Sequence, residues 1–214
     1  FNGAMWTCGC SRYLVSIKRN MKSMPLMELW KADRESILQM TIEQIASAAG
    51  DGKLSDNSDS QNELREYLTH AGTDSLANYA TYCLDNSFSK SGQVLQDIVN
   101  ELGRRLDYVV ENGRYQGVKN AIGYDGIWTD SDHRSLVVEV KTTDAYRLSL
   151  DAVNRYRVAL ISEKQILETS SILIVVGRTD TGELEAQVRG SIHSWHVRII
   201  GIEALVQLVR VKET

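Results

Sequence analysis

The sequence predicts an α/β fold, with a mixed central sheet that is flanked by helices and preceded by a helical N-terminal region. Amphipathic helical patterns occupy most of the chain up to about residue 106, whereas short β-branched or aromatic runs separated by Gly, Asn and Asp follow Tyr108. A long segment of helical character separates two of these runs. This is the pattern of a β-α-β unit, for which a right-handed crossover is expected.

The N-terminal region is predicted to be helical, with one internal loop. Residues 33–49 carry apolar side chains at helical spacing and end at Gly50, so we expect one amphipathic helix there. Residues 50–61 are rich in Gly, Ser, Asp and Asn, which is typical of a solvated loop or linker and marks the best internal boundary. Two short helices are expected near residues 62–71 and 74–86.

We divide the chain into a helical region, residues 1–89, and a second domain, residues 90–214. The second domain begins with a helix at residues 91–106, where the apolar residues fall on one face. Four runs then have strand character: YVVENGRYQG, GYDGIWTD, SLVVEVKTT and SSILIVVGRTD. Residues 150–167 are predicted to form the crossover helix, and a strand ending near Gly201 leads into a last helix.

Composition and charge limit the classes of function. Hydrophobic residues make up 43% and charged residues 24% of the 214 residues, as in ordinary globular proteins. The net charge of −4 argues against a protein that wraps nucleic acid with a uniformly basic surface. Cys8, Cys10 and Cys83 suggest neither a disulfide framework nor a zinc motif, and no run resembles a membrane span or a signal core. We therefore expect a cytoplasmic protein with no membrane association.

Three residues on two neighbouring strands form the candidate catalytic site. The turn at residues 130–134 predicts a hairpin that brings Asp125 close to the end of the next strand. Along that strand Glu139 and Lys141 share one face, because side chains alternate. Asp125 and Glu139 are suited to hold Mg²⁺, with the Val140 carbonyl as a further oxygen ligand. Lys141 is suited to orient or deprotonate the attacking water, or to stabilise negative charge on a phosphate.

The alternative interpretation is an exposed ion pair between Glu139 and Lys141 on a sheet edge, since E-x-K occurs by chance in many proteins. The surroundings of the pair favour the catalytic interpretation. It lies in a strand otherwise made of Leu and Val, an acid stands in the preceding strand, and a β-α-β crossover follows.

Asp125 together with the run EVK at 139–141 resembles the motif of PD-(D/E)XK nucleases, and the layout of residues 91–210 is similar to that of Mrr-like restriction endonucleases. The resemblance implies a restriction-endonuclease-like core, in which residues 95–108 form the helix that precedes the core strands. It also implies Mg²⁺-dependent hydrolysis of DNA phosphodiester bonds, with Mn²⁺ able to substitute, by a homodimer.

The chain departs from the family pattern at two places. Tyr124 stands where the motif name has proline, which is a common variation. The family helix often contributes a further glutamate, and the position that we align with it holds Gln96, a candidate substrate-binding residue. Glu101 is the candidate metal ligand in its place, and the alternatives are Asp97 or a site that functions with fewer carboxylates. A solvated helix face is the competing interpretation for Glu101.

Further candidate substrate-binding residues are Thr142, Thr143 and Arg147. The threonines continue the catalytic strand, although strand propensity explains them equally well. Arg147 is a candidate because an arginine guanidinium can donate two parallel hydrogen bonds to phosphate oxygens. Contact with a phosphate is also open to a set of basic residues near the site: Arg104, Arg105, Arg114, Lys119, Arg155 and Arg157. An ordinary solvated side chain is the alternative for each.

The polar run at residues 178–196 is punctuated by glycine and lies between apolar strands, so we hypothesise a loop and helix that approach substrate. It contains His193 and His196 in an H-x-x-H pattern beside Trp195. This spacing occurs in some metal sites, but no acid or cysteine accompanies it in sequence, and a structural role is favoured.

The sequence therefore favours a metal-dependent DNA endonuclease with a restriction or defence role. Such an enzyme can also have a regulatory or defence-system partner. One alternative is a non-cleaving DNA-binding or assembly subunit that keeps the nuclease fold, against which the intact acids and lysine count. Another is a structural α/β interaction domain in which the motif is coincidental. The helical region can recognise DNA, mediate dimerisation or dock a partner, and the sequence favours none of these.

Overall fold

The computed structural model describes residues 26–116, 122–142, 149–177 and 181–214. The helices of the N-terminal part are α1 (Leu26–Ala32), α2 (Arg34–Leu38), α3 (Ile42–Ala48), α4 (Asp59–His70) and α5 (Thr73–Asp85). The remaining elements follow in this order: α6 (Ser91–Arg105), β1 (Val109–Asn112), β2 (Gly126–Thr129), β3 (Ser135–Lys141), α7 (Leu150–Ser162), β4 (Ser171–Val176), α8 (Gly182–Arg189), β5 (Val197–Gly201) and α9 (Ile202–Glu213). Within the described ranges, no helix is long and apolar enough to cross a membrane.

The prediction of one helix over residues 33–49 is wrong, because α2 ends before α3 begins. Thr41 starts the new helix: its side chain accepts from the Gln44 N–H, and the Gln44 side chain accepts from the Thr41 N–H. This reciprocal capping box satisfies two donors at the start of α3. The local hydrogen bonds therefore divide a segment whose apolar spacing suits a single helix.

The predicted loop after α3 is confirmed for residues 50–58, but it is anchored rather than fully solvated. Leu54 is buried, and Ser60 and Gln61, which were assigned to the loop, are buried in the first turn of α4. Asp56 accepts a hydrogen bond from the Tyr115 N–H at 2.7 Å. One hydrophobic cluster includes residues of α1, α3, α4, α5, α6 and α9. Helices from both sides of residue 89 thus share a core, and the division at that residue stays a prediction.

The five strands form one mixed sheet in the order β1-β2-β3-β4-β5. β1, β2 and β3 pair antiparallel, whereas β3, β4 and β5 pair parallel. The predicted hairpin between β2 and β3 is confirmed, and the Asp130 carboxylate accepts from the N–H groups of Asp132 and Arg134 in its turn. The predicted α/β class, with a mixed sheet flanked by helices and preceded by helices, is therefore correct.

Helices cover both faces of the sheet. α6 and α9 belong to the core cluster on one face, and α7 and α8 contribute to the cluster on the other face. Trp128 of β2 points toward α6 and is almost fully buried. Gly103 of α6 faces its indole ring, since a Cβ at that glycine would lie 2.5 Å from Trp128 Cε2. A glycine is required there for the helix to approach the sheet.

Substituting Gly103 by alanine is expected to destabilise the protein by about 2 kcal/mol, because the added methyl group overpacks the Trp128 contact. Gly92 of the same helix is the matched control, since the nearest atom to a Cβ there is 3.9 Å away. Urea unfolding at equilibrium measures both changes. A Gly103→Ala protein as stable as Gly92→Ala would contradict this packing.

Candidate active site

The side chains of Glu139 and Lys141 lie on the sheet face covered by α7, as the alternation along β3 predicts. Val138 and Val140 pack on the opposite face in the cluster of α6, whereas Val137 belongs to the cluster of α7. Lys141 Nζ is 2.5 Å from Glu139 Oε1. The carboxylate is largely buried, and the lysine is about one third exposed.

Asp125 lies immediately before β2, and hydrogen bonds from two other elements fix its backbone. Its carbonyl oxygen accepts from Gln96 Nε2 at 3.0 Å, from Asn100 Nδ2 at 2.8 Å and from the Gly113 N–H at 2.9 Å. Its own N–H donates to the Val138 carbonyl at 2.9 Å. The α6 amides stand one helical turn apart, so they reach the same acceptor. The residue is thus held between α6, β1 and β3.

Asn100 connects the Asp125 carbonyl to the buried Trp128 of the hydrophobic core. Its side-chain oxygen accepts from Trp128 Nε1 at 2.9 Å while its amide nitrogen donates to Asp125. A Cβ at Gly126 would lie 2.2 Å from that side-chain oxygen. The glycine beside Asp125 therefore gives Asn100 the space to reach the strand.

The Asp125 carboxylate is coupled electrostatically to both other members of the site. Burial and the negative charge of Glu139 raise the pKa of Asp125 to about 7, while the hydrogen bond from Val140 and the charge of Lys141 oppose this rise. The Val140 N–H donates to Asp125 Oδ2 at 2.6 Å. The two acids and the lysine therefore converge on one face, and the two carboxylates repel one another there.

Asp125 and Glu139 line a cleft of about 600 Å³. Its other walls come from residues 111–116, from residues 122–124 and from the C-terminal part of α7 with the turn that follows: Tyr156, Leu160, Glu163 and Gln165. Burial and a hydrogen bond to Glu111 raise the pKa of Tyr124 to about 12, so its phenol stays protonated and donates to Glu111 Oε1 at 2.7 Å. The carboxylates are thus accessible from a polar cavity.

The donor set fits a hard divalent cation. Mg²⁺ is commonly held by one or two carboxylates and keeps several waters. Asp125 and Glu139 supply two carboxylates, and each has a second oxygen besides the one bonded to Val140 or Lys141. Among the described residues, no group of three or more His, Cys, Asp or Glu lies close enough to share an ion. Val140 contacts the site through its N–H, and the role of its carbonyl stays a prediction.

The two acids of α6 are bound to other side chains of the fold. Glu101 pairs with Arg104 at 3.5 Å and Arg105 at 3.3 Å. Asp97 is buried, binds Arg65 Nε at 2.9 Å and accepts from the Tyr115 hydroxyl. Burial raises the pKa of Asp97 to about 6. Neither acid forms a group of three with Asp125 and Glu139, so nothing in the geometry supports Glu101 as a third metal ligand.

Several predicted phosphate-binding arginines hold the chain's own atoms instead. Arg105 donates to the Ala71 carbonyl at 2.5 Å and to Thr73 Oγ1 at 2.8 Å. Arg157 is buried and donates to the carbonyls of Ser170 and Glu168, and Arg104 donates to Asn112 Oδ1. These contacts are structural, because each guanidinium ties two segments of the fold together.

Other predicted residues have different outcomes. Arg114 lines the cleft, and Arg155 is exposed on α7. Thr142 follows β3 and packs beside Gly92 at the start of α6. Some candidates lie outside the described residues: Lys119, Thr143 and Arg147. Gln96 lies at the site, but its observed contact is with the Asp125 carbonyl, and its predicted role toward substrate is untested.

Comparison of the chain with models of known protein families, with curated proteins and with solved structures finds no match. The resemblance to PD-(D/E)XK nucleases therefore stays a prediction from the sequence motif.

Sequence reasoning missed the anchoring role of Asn100 and the contribution of Glu111, Tyr124 and Tyr156 to the cleft. The four-residue spacing of Gln96 and Asn100 is a signal that both amides face the same way on α6. The partner on β2 is distant in sequence, so only the folded chain shows what they bind.

The raised pKa of Asp125 predicts how its removal changes stability. Because the folded-state pKa lies above the ordinary value of 3.8, the folded chain binds this proton more tightly, and wild-type stability falls as pH rises toward 7. Asp125→Asn removes that cost. In metal-free buffer, its unfolding free energy relative to wild type is expected to rise by about 2 kcal/mol between pH 5 and pH 8.

Urea unfolding in EDTA at the two pH values measures this change. Asp132→Asn, at an exposed carboxylate in the β2–β3 turn, is the control, and no comparable rise is expected for it. A stability difference for Asp125→Asn that does not depend on pH would show that the carboxylate is not destabilised in the folded state.

Proposed function

We propose that this protein is a divalent-metal-dependent endonuclease that hydrolyses DNA phosphodiester bonds, with a PD-(D/E)XK catalytic site. One observation carries the proposal: Asp125, Glu139 and Lys141 converge on one sheet face, where burial and the negative charge of Glu139 oppose ionisation of Asp125. Two repelling carboxylates at an accessible cleft favour a bound cation, which relieves the repulsion.

The order of elements supports a restriction-endonuclease-like core. α6 stands where the resemblance expects a helix before the core strands, and its amides anchor the motif aspartate. β2 and β3 carry the motif, α7 crosses to β4, and β5 with α9 correspond to the closing strand and helix. A likeness of fold alone does not imply a reaction, so the residues of the site bear the greater weight.

In the proposed site Asp125 and Glu139 would hold Mg²⁺ or Mn²⁺. The bound ion would supply charge neutralisation for the phosphate and make a bound water more acidic. Gln96 and Asn100 keep the Asp125 backbone in place during this chemistry, because both donate to its carbonyl. Preorganised ligands of this kind reduce the rearrangement that binding requires.

Lys141 would act on the water or on the phosphate. Its ammonium is held 2.5 Å from Glu139 Oε1, and the side chain remains partly exposed. From this position it is suited to orient the attacking water, to accept its proton once deprotonated itself, or to stabilise charge that grows on the phosphate oxygens. Arg114 at the cleft wall is suited to contact a phosphate.

The broader parts of the proposal rest on the resemblance. They are a restriction or defence role, a homodimer that acts on both strands of a duplex, and a regulatory or defence-system partner. The runner-up is a non-cleaving subunit that binds DNA or assembles with other proteins through the same fold.

Plasmid cleavage tests the proposal. With Mg²⁺ or Mn²⁺, the wild type is expected to convert supercoiled plasmid to nicked or linear DNA. Asp125→Asn and Glu139→Gln are expected to lower the rate by about 100-fold or more, since each removes a charged ligand, and Lys141→Ala by a similar factor. Gel densitometry over time gives the rates.

Glu66→Gln on α4 and Lys31→Ala on α1 are matched controls, because both side chains are exposed on helices of the N-terminal region. Cleavage that survives in Glu139→Gln would exclude the proposed centre. Binding of DNA without cleavage would favour the non-cleaving subunit, and a matched single-stranded RNA substrate reports whether DNA is preferred.

A further inference from the structure

Residues 190–196, which we call the Trp195 loop, join α8 to β5 and carry two exposed apolar side chains. The side chain of Ile192 is 88% exposed and that of Trp195 is 83% exposed. Two large apolar residues this exposed within one short loop are a candidate binding surface. The loop is therefore a candidate for a binding function in addition to connecting α8 and β5.

The backbone of the Trp195 loop is held firmly, so the exposure is built into the fold. The His196 carbonyl accepts from the Ile172 N–H of β4 at 2.7 Å. Arg198 Nη1 donates to the carbonyls of Trp195 and Val197 at 3.3 and 2.9 Å. The His193 N–H donates to Ser191 Oγ at 3.0 Å. These bonds present Trp195 outward on a fixed support.

Two arginines flank the Trp195 loop in a protein whose net charge is −4, and Asp151, an acid that contacts the loop, lies beside His193. No Asp or Glu occurs in residues 186–202, which include Arg189 and Arg198. Both arginines line a groove of about 220 Å³ next to the loop, together with Ser194 and with Glu185, which lies 4.0 Å from Arg189. Exposed arginines beside an exposed aromatic ring match the phosphates and bases of a nucleic acid.

The Trp195 loop and the cleft are connected through α7. His193 Nε2 lies 2.8 Å from Asp151 Oδ1 in the first turn of this helix, whereas Tyr156 and Leu160 of the same helix line the cleft. From Asp151 to Leu160 the helix rises by about 14 Å, at ~1.5 Å per residue. That length corresponds to about four steps along a DNA strand, at ~3.4 Å each. Exposed Arg155 lies between the two ends.

We propose that the Trp195 loop is a second DNA contact, a few nucleotides from the scissile phosphate. Trp195 and Ile192 pack against bases and sugars, while Arg189 and Arg198 contact phosphates. The apolar contact adds affinity that salt does not screen, in contrast to the phosphate contacts. The inference rests on the proposed function, because it assigns DNA as the ligand.

Fluorescence anisotropy of a labelled DNA duplex of about two helical turns tests the inference in EDTA, where no cleavage occurs. Trp195→Ala is expected to weaken binding by about tenfold with an unchanged slope against salt, and Trp195→Phe to retain most of the affinity, since stacking needs an aromatic ring. Val211→Ala is the matched control: its side chain is 72% exposed on α9, at the opposite face of the sheet. Light scattering of each variant reports the oligomeric state.

Equal affinity of wild type and Trp195→Ala, or no DNA binding by the wild type, would overturn the inference. A change of oligomeric state in Trp195→Ala with unchanged DNA affinity would instead assign the Trp195 loop to a contact between copies of the chain. Plasmid cleavage separates this result from the proposed function. If the wild type cleaves plasmid but Trp195→Ala binds DNA as well as the wild type does, only the second DNA contact is rejected. If binding depends on Trp195 but no cleavage occurs, only the nuclease activity is rejected.

Discussion

The geometry of the candidate site depends on the hydrogen bonds to one carbonyl oxygen, that of Asp125. Two side-chain amides of α6 and the Gly113 N–H donate to it, and together they fix a residue that lies just before its strand. Asn100 also binds the Trp128 indole, so the same amide joins the core to the site. A change in the packing of α6 on the sheet would therefore move Asp125 relative to Glu139.

This fixed backbone holds two carboxylates where they repel one another. In water they would separate, but Asp125 is bound at both its carbonyl and its carboxylate, and Glu139 is held by β3 and Lys141. Burial of the Asp125 carboxylate and this repulsion together raise its pKa. In the proposed site, a cation that replaces the proton would offset the cost of this arrangement, and metal binding would then depend on pH.

The elements that the sequence predicts well are those set by local pattern. The Leu and Val run of β3 and the Asp-rich turn before it specify a hairpin and place Glu139 and Lys141 on one face, and both features are observed. The break between α2 and α3 was missed, because apolar spacing suits either one helix or two and the capping box at Thr41 decides. The ion pairs of Glu101 could have been predicted from the sequence, because arginines stand three and four residues later on the same helix.

Features that depend on distant parts of the chain could not be predicted in this way. Gln96 was considered for its alignment with a family glutamate, yet its observed contact is with a backbone carbonyl on another element. The burial of Arg157, which binds carbonyls before β4, likewise follows from how α7 crosses the sheet. Contacts of this kind depend on the packing of helices against strands that are distant in sequence, which local patterns do not specify.

The central claim is that Asp125 and Glu139 hold one divalent cation between them. Anomalous X-ray diffraction from crystals soaked in Mn²⁺ tests it directly, because the signal locates the ion without assumption about activity. A peak is expected within coordination distance of both carboxylates, and it should disappear in Glu139→Gln crystals. No peak at this position, or a peak that the substitution leaves unchanged, would contradict it.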